Sequence, residues 1–205
     1  MQVYSQRAVM TTQLQRPTEN CVPGTKSPFP SGYFYGDKWF STVCKLTPFL
    51  SRGVIDQCLK GKRVYIWGSV YIARDLDSLE VGGGKRNAVI IGIGQHFRAF
   101  PLEYFIHRLL NIRRAILRLQ ARSPETMVFI KLENTREFTS PILRLSDTYG
   151  HLQNLAQRKV FKGMRVVIVD AWDISVAANT FSTHPKELVV SNQVSLVLSH
   201  FCFDL

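Results

Sequence analysis

Residues 164–173 read MRVVIVDAWD, an apolar run that ends in two acidic residues. Three apolar runs of the same kind precede it, and helix-like segments separate them. The four runs are Arg63–Trp67, Ala88–Ile93, Thr126–Leu132 and Met164–Val169. Short, nearly continuous apolar runs are typical of strands that are buried on both faces of a parallel sheet. Because strands and helices alternate, the sequence predicts an α/β fold with right-handed crossovers.

The longest helix-like segment begins at Pro101 and ends near Ser123. Its apolar residues recur at helical spacing along one face. Basic residues such as Arg114 and Arg118 lie on the opposite face, as is typical of a solvated surface. Arg113 lies beside the apolar face, so we expect it to pair with an acidic residue. Shorter helices are predicted over Tyr71–Leu79, over Ser146–Phe161 and from Pro185 onward.

The chain divides into two parts by composition. Residues 1–50 are predicted to form an irregular arm, because proline and glycine recur there and exclude a long helix. Residues 51–205 are predicted to form the α/β domain. The aromatic residues of the arm, Tyr33–Tyr35 and Trp39–Phe40, indicate either an edge hairpin or a segment that crosses the core surface. Because Met1–Glu19 is polar, we do not expect a signal peptide.

The composition is that of a basic globular protein. The 205 residues carry a net charge of +11, and 45% of them are apolar, which is too high for a disordered chain. No apolar run approaches the roughly 20 residues that a membrane-spanning helix needs. The basic residues are spread along the chain and are not interleaved with aromatic ones, so nucleic acid is not expected as a partner. The alternatives are a basic surface without a specific ligand and a surface that binds an acidic glycan. The sequence does not predict an oligomeric state.

Four cysteines, Cys21, Cys44, Cys58 and Cys202, are present without a CxxC pair. Structural zinc sites usually contain closely spaced ligand pairs, so a zinc site made of these four residues is not expected. Two disulfides in any of three connectivities would indicate an oxidising compartment. Four buried thiols are the alternative.

The ends of the strands supply the candidates for chemistry, because ligands of parallel α/β folds bind there. In a serine hydrolase of this architecture the nucleophile follows the first strand and a histidine base follows the last. His184 lies past the last strand, either as such a base or as a cap or surface residue. Asp170 and Asp173 end that strand, and they either orient His184 or cap a helix. Gly68 and Ser69 follow the first strand, and Ser69 is the hydroxyl residue closest to its end.

The turns after the second and third strands supply the remaining candidates. Gln95 could donate to an oxyanion and His96 could contact substrate, or both belong to a polar turn without a further role. Arg136 follows the third strand, where it either contacts substrate or pairs with Glu133. No cofactor or metal ion is expected at these positions.

Several short motifs occur in register between Cys21 and Cys202. They are Cys21–Gly24, Pro30–Tyr35, Cys58–Lys62, Gly94–Arg98, Ile112–Arg114, Arg122–Thr126, Lys131–Glu137, Asp170–Asp173 and His184–Pro185. In these motifs the chain resembles the C-terminal domain of the neurexophilin and PC-esterase (NXPE) family. The resemblance implies a flavodoxin-like, three-layer fold like that of SGNH hydrolases, with serine, aspartate and histidine as catalytic residues. It also implies a protein of the secretory pathway that hydrolyses or transfers acyl groups on glycans.

The chain departs from the family pattern at the nucleophile. Family members carry Gly-Asp-Ser after the first strand, whereas this chain has Gly68-Ser69-Val70 and a much shorter segment before the second strand. The position three residues before His184, where SGNH hydrolases have aspartate, is Phe181. The resemblance therefore implies a shortened and catalytically inactive domain. In any residual activity, His184 would be the base, Ser69 a poor nucleophile, and Gly68 and Gln95 the oxyanion donors, with Asp170 or Asp173 orienting the base.

Overall fold

The computed structural model describes residues 17–49, 51–68, 71–81, 87–136, 146–182 and 184–202. The strands are β1 (Gly32–Tyr35), β2 (Lys38–Ser41), β3 (Arg63–Trp67), β4 (Asn87–Ile91), β5 (Met127–Lys131) and β6 (Val167–Val169). The helices are α1 (Arg52–Leu59), α2 (Ile72–Ser78), α3 (Gly94–Phe97), α4 (Leu102–Arg122), α5 (Asp147–Val160), α6 (Ala171–Ala177) and α7 (Glu187–Phe201). Among the described residues, no helix combines the length and apolar character that crossing a bilayer requires.

Strands β3 to β6 form a parallel sheet in the order β3-β4-β5-β6. The register places Trp67 beside Ile91, Ile91 beside Ile130, and Lys131 beside Val169. The carboxyl ends of all four strands therefore lie along one side of the sheet, which we call the carboxyl edge.

Successive residues of the central strands face opposite sides of the sheet, as the period of a strand requires. On one side Val89, Ile91 and Ile130 pack in an apolar cluster with residues of α2 and α4. On the other side Ala88 and Phe129 pack in a second cluster with residues of α7 and the arm. The sheet thus lies between two helical layers, and the flavodoxin-like, three-layer α/β fold predicted from the sequence is confirmed.

Helix α4 has the apolar face that its sequence predicts, since Phe105, Leu109 and Ile116 are fully buried. The expectation of an acidic partner for Arg113 is wrong. Its guanidinium donates to the carbonyl oxygen of Val160 at the end of α5, where helix carbonyls have no intrahelical partner.

The opposite, basic face of α4 is exposed, as expected, and part of it also contacts α2. Arg118 makes two hydrogen bonds to the Asp77 carboxylate, at 2.9 and 2.7 Å, and Arg122 donates to the carbonyl oxygen of Leu76. These contacts join α2 to α4. A helix as short as α2 needs such tertiary contacts to be stable.

The aromatic segment of the arm forms a hairpin, in which β1 and β2 pair antiparallel with Tyr33 opposite Phe40. Trp39 is 5% exposed and packs in the same cluster as α7. Its backbone N–H donates to Asn192 Oδ1 of that helix at 2.9 Å. The hairpin therefore packs against the helical layer that contains α7. The domain boundary at residue 50 stays a prediction.

Of the two alternatives for the cysteines, the structure has the disulfides. They join Cys21 to Cys44 within the arm, and Cys58 at the end of α1 to Cys202 after α7.

Helices α1 and α6 were not predicted from the sequence. Helix α7 begins two residues after Pro185, the start that was expected.

Candidate functional site at the carboxyl edge of the sheet

The end of β3 lies close to the turn that follows β4. A Cβ atom added to Gly68 would lie 3.2 Å from the Gly92 carbonyl oxygen and 3.4 Å from His96 Nε2. Gly92 in turn donates its N–H to the Trp67 carbonyl oxygen at 3.0 Å. The structure therefore brings Gly68 and His96 together, and the His96 side chain is exposed there.

Glu133 is the acidic group at the centre of this edge. Its side chain is buried, and its Oε2 lies 3.7 Å from Arg98 Nε. A Cβ atom at position 94 would collide with the Glu133 carboxyl group, so Gly94 leaves the space that this group fills. Burial raises the pKa of Glu133, while the positive charges of Lys131 and Arg98 and the backbone N–H of Gln95 oppose that rise.

Arg98 is fully buried beside Glu133 and connects three segments. Its guanidinium donates to the carbonyl oxygens of Ser146 at 3.2 Å and Asn134 at 3.4 Å. It also fills the space next to Gly150 of α5, where a Cβ atom would overlap it. Burial lowers the pKa of Arg98, and the Glu133 carboxylate opposes this effect.

The alternative in which Arg136 pairs with Glu133 is not found among the described residues, where each of the two has another partner. Glu133 pairs with Arg98. Arg136 Nη1 donates to Gln95 Oε1 at 3.4 Å, and its backbone N–H donates to the Asp147 carboxylate at 2.8 Å. A sequence pattern cannot separate these alternatives, since Arg98 and Glu133 are 35 positions apart.

Gln95 and Arg136 also hold two buried donor atoms. Gln95 Nε2 and Arg136 Nε are shielded from solvent and have no hydrogen-bond partner among the described residues. Buried polar atoms in native proteins nearly always have a partner, which can be a ligand or ordered water. These two donors suit an acceptor such as a carboxylate, a sulfate or an acyl carbonyl group.

Asp170 directly precedes α6, and Asp173 lies in the first turn of that helix. Asp170 Oδ1 accepts the N–H of Asp173 at 3.1 Å as the N-cap of that helix, and its other oxygen pairs with Arg158. Asp173 Oδ2 accepts two hydrogen bonds from Ser31, at 2.7 Å from the backbone and 2.8 Å from the hydroxyl. Asp170 therefore caps a helix, whereas Asp173 binds the arm. The role of either carboxylate in orienting His184 stays a prediction.

The candidate base is not bonded to these carboxylates in the part of the chain that the structure describes. His184 is exposed in the segment before α7, and its backbone carbonyl oxygen accepts the Ser182 hydroxyl at 3.0 Å. Among the described residues, no hydrogen bond joins its imidazole to Asp170 or Asp173. Ser69 lies outside the described residues.

Sequence reasoning missed the polar face of α5 that supports this edge. Gln153, Asn154 and Gln157 are buried, and Asn154 Oδ1 accepts the backbone N–H of Glu133 at 2.8 Å. The amide side chains at helical spacing in α5 were the sequence feature that could have indicated this polar face.

The only group of three potential metal ligands among the described residues is Cys21, Cys44 and His200.

Comparison with known proteins places the chain in a family. The family model described as NXPE family member 4-like, C-terminal domain, matches residues 69–202, which is more than half of the chain. No solved structure matches it. The chain therefore belongs to the NXPE family, through the C-terminal domain of that family.

Proposed function

We propose that this chain is a non-hydrolytic NXPE domain, which has the fold of a glycan acyl-esterase or acyltransferase without its nucleophilic chemistry. One observation carries the proposal. The carboxylates of Asp170 and Asp173, which would orient a histidine base, are bound to Arg158 and Ser31 instead.

A histidine base needs a carboxylate that accepts its other ring N–H and stabilises the imidazolium. Asp173 is 6% exposed and Ser31 is 5% exposed. Any rotation toward a histidine that moves Asp173 Oδ2 away from Ser31 would leave two buried Ser31 donors without an acceptor. A group left unpaired in this way costs about 1–3 kcal/mol, so the observed arrangement opposes a catalytic one.

The sequence supports the same conclusion at the nucleophile. The family match begins at residue 69, so β3 and Gly68 lie before it. Gly68-Ser69-Val70 stands where the resemblance implies Gly-Asp-Ser. We infer that the segment with the nucleophile is missing and that Ser69 does not replace it.

Hydrolysis of a small acetyl ester tests this proposal. We expect the purified chain to release product no faster than Ser69→Ala and His184→Ala variants. Surface amines and imidazoles also react with activated esters, so turnover beyond one equivalent is the quantity to measure. Multiple turnovers that disappear in both variants would overturn the proposal and would support His184 as base and Ser69 as nucleophile, with Gly68 and Gln95 as oxyanion donors.

A second function is favoured by the two unpaired donors, Gln95 Nε2 and Arg136 Nε. We propose that the carboxyl edge binds an acidic or acylated glycan without converting it, with His96 as an exposed contact. The net charge of +11 favours such a partner through long-range attraction, which salt weakens.

Binding of heparin at several salt concentrations tests this function, with Arg136→Gln compared against Arg52→Gln. Both variants lose one positive charge, but the Arg52 side chain is 94% exposed on α1 and lies outside the carboxyl edge. A hydrogen bond to a charged group contributes about 1.5–3 kcal/mol, so we expect Arg136→Gln to weaken binding at least about tenfold. Equal, small effects of both variants would mean that attraction to the surface as a whole causes the binding.

The family and the two disulfides suggest the secretory route for this protein. Disulfides form and persist in oxidising compartments and are rare in the cytosol. We propose that the mature protein is extracellular. Intact mass after alkylation without reduction should reveal no modified thiol in protein recovered from culture medium, and four modified thiols would contradict the proposal.

A further inference from the structure

A histidine lies against one of the two disulfides. His200 Nε2 is 3.8 Å from Cys44 Sγ, and the three atoms Cys21 Sγ, Cys44 Sγ and His200 Nε2 all lie within 4.8 Å of one another. All three residues are buried. A tetrahedral Zn²⁺ ion holds sulfur and nitrogen ligand atoms roughly 3.6 Å apart, so the nitrogen already lies at a suitable distance from one sulfur.

The imidazole is also oriented as a metal ligand would be. His200 Nδ1 is 3.0 Å from the Leu196 carbonyl oxygen, and because a carbonyl oxygen only accepts, Nδ1 carries the proton. The unprotonated Nε2 then faces Cys44. The ring packs edge-on against Phe129, which restricts its rotation. Histidines that bind metals usually donate their other N–H to a carbonyl or carboxylate in this manner.

We propose that reduction of the Cys21–Cys44 disulfide by a dithiol creates a Cys₂His site for Zn²⁺, with His200 as the nitrogen ligand. The dithiol transfers two electrons and two protons, so that the sulfur–sulfur bond breaks, two thiols form and the reductant becomes a disulfide. Zn²⁺ then binds both sulfurs as thiolates and displaces the two thiol protons. The oxidised chain, whose sulfurs are bonded to each other, offers only the histidine.

Two cavities adjoin the residues of this proposed site. A cavity of about 20 Å³ lies beside the imidazole, lined by residues that include Ser41 and His200. This volume is enough for one water molecule. Cys44, with Trp39 and Lys45, also lines a cleft of about 600 Å³, so this cleft reaches one of the two cysteines.

The second disulfide provides a built-in comparison. Lys62 Nζ lies 3.6 Å from Cys202 Sγ, where the first disulfide has an imidazole nitrogen. An ammonium group cannot donate an electron pair to a metal ion and repels it. The two cysteine pairs of the same chain should therefore differ in metal binding once both are reduced.

Titration with Co²⁺, which reports thiolate ligation through charge-transfer absorption, tests the proposal on the full chain. The reduced chain should bind one Co²⁺, with Zn²⁺ displacing it, and the oxidised chain should show no thiolate absorption. His200→Gln should weaken binding at least about tenfold, while His107→Gln, which alters an exposed histidine of α4, should leave it unchanged. The Cys58→Ser, Cys202→Ser double variant should still bind, and the Cys21→Ser, Cys44→Ser double variant should not.

Three results would overturn the proposal. They are a reduced chain that binds no Co²⁺, equal binding by His200→Gln and the unmodified chain, and binding that survives loss of Cys21 and Cys44. If reduction of the disulfides unfolds the chain, circular dichroism measures whether the metal ion restores the fold. Metal binding would then be coupled to folding, so one equivalent of Zn²⁺ should restore the helical signal, and its failure to do so would also overturn the proposal.

Discussion

Glu133 illustrates how single residues shape the carboxyl edge. Its buried carboxyl group occupies the space that a side chain at position 94 would need, and Arg98 lies 3.7 Å away as its ionic partner. A buried ion pair of this kind stabilises little by itself, but removing one partner leaves an uncompensated group. The stability of the fold at the carboxyl edge should therefore fall when a small side chain is added next to Glu133.

Replacing Gly94 with alanine tests this packing. The new Cβ atom would collide with the Glu133 carboxyl group, and overpacking of this kind costs about 1–3 kcal/mol of unfolding free energy. Gly53→Ala in α1 is the matched control, because its Cβ would meet only Ser51 Oγ at 4.0 Å. Urea denaturation of both variants measures the effect. Equal stability of the two would contradict the packing described here.

Asp170 should make stability depend on pH. Burial raises the pKa of Asp170 to about 6 from 3.8, and Arg158 opposes the shift. Between these values the unfolded chain releases the proton while the folded chain keeps it, so the unfolding free energy falls as pH rises. A shift of about 2 units corresponds to up to about 3 kcal/mol.

Asp170→Asn keeps a capping side chain but removes this titration. The stability of the unmodified chain relative to this variant should therefore fall between pH 4 and pH 6 and level off above pH 6. Urea denaturation at several pH values measures the difference. A relative stability that stays constant or rises over this range would contradict the assignment.

At the scale of the elements, the two disulfides connect segments within the arm and join α1 to the end of α7, and a capping side chain begins α6. The aromatic residues of the arm left a hairpin and a segment across the core surface open, and the structure has a hairpin that also packs on the core. The sequence did not indicate α1 or α6. Both are short, and α6 is held by Asp170, whose sequence position also suited an active-site carboxylate.

The two disulfides should differ in what they contribute to stability. Cys58–Cys202 closes a separation of 144 residues, and Cys21–Cys44 one of 23. In the chain-entropy description the longer loop contributes about 1.6 kcal/mol more. The double variant Cys58→Ala, Cys202→Ala should therefore lose more unfolding free energy than Cys21→Ala, Cys44→Ala. Thermal and urea unfolding compare them, and the reverse order would contradict this expectation.

At the scale of the whole molecule, the fold followed from the sequence more completely than the site did. Apolar runs such as Ala88–Ile93 indicate buried strands by their composition alone, because a strand that is buried on both faces needs apolar residues at nearly every position. The partners of Glu133 and Arg113 depend on which elements meet in space. No local pattern carries that information, so the acidic partner expected for Arg113 was wrong and the partner of Glu133 was left open. Motifs such as Gly94–Arg98 indicated the family, and the family match bears this out.

The central proposal is that the domain has no activated serine. Incubation of the folded chain with a fluorophosphonate probe, followed by intact mass measurement, tests it most directly, since the probe modifies serines that a neighbouring base activates. We expect the mass of the chain to stay unchanged. Addition of one probe molecule per chain, located at a single serine and absent after His184→Ala, would contradict the account.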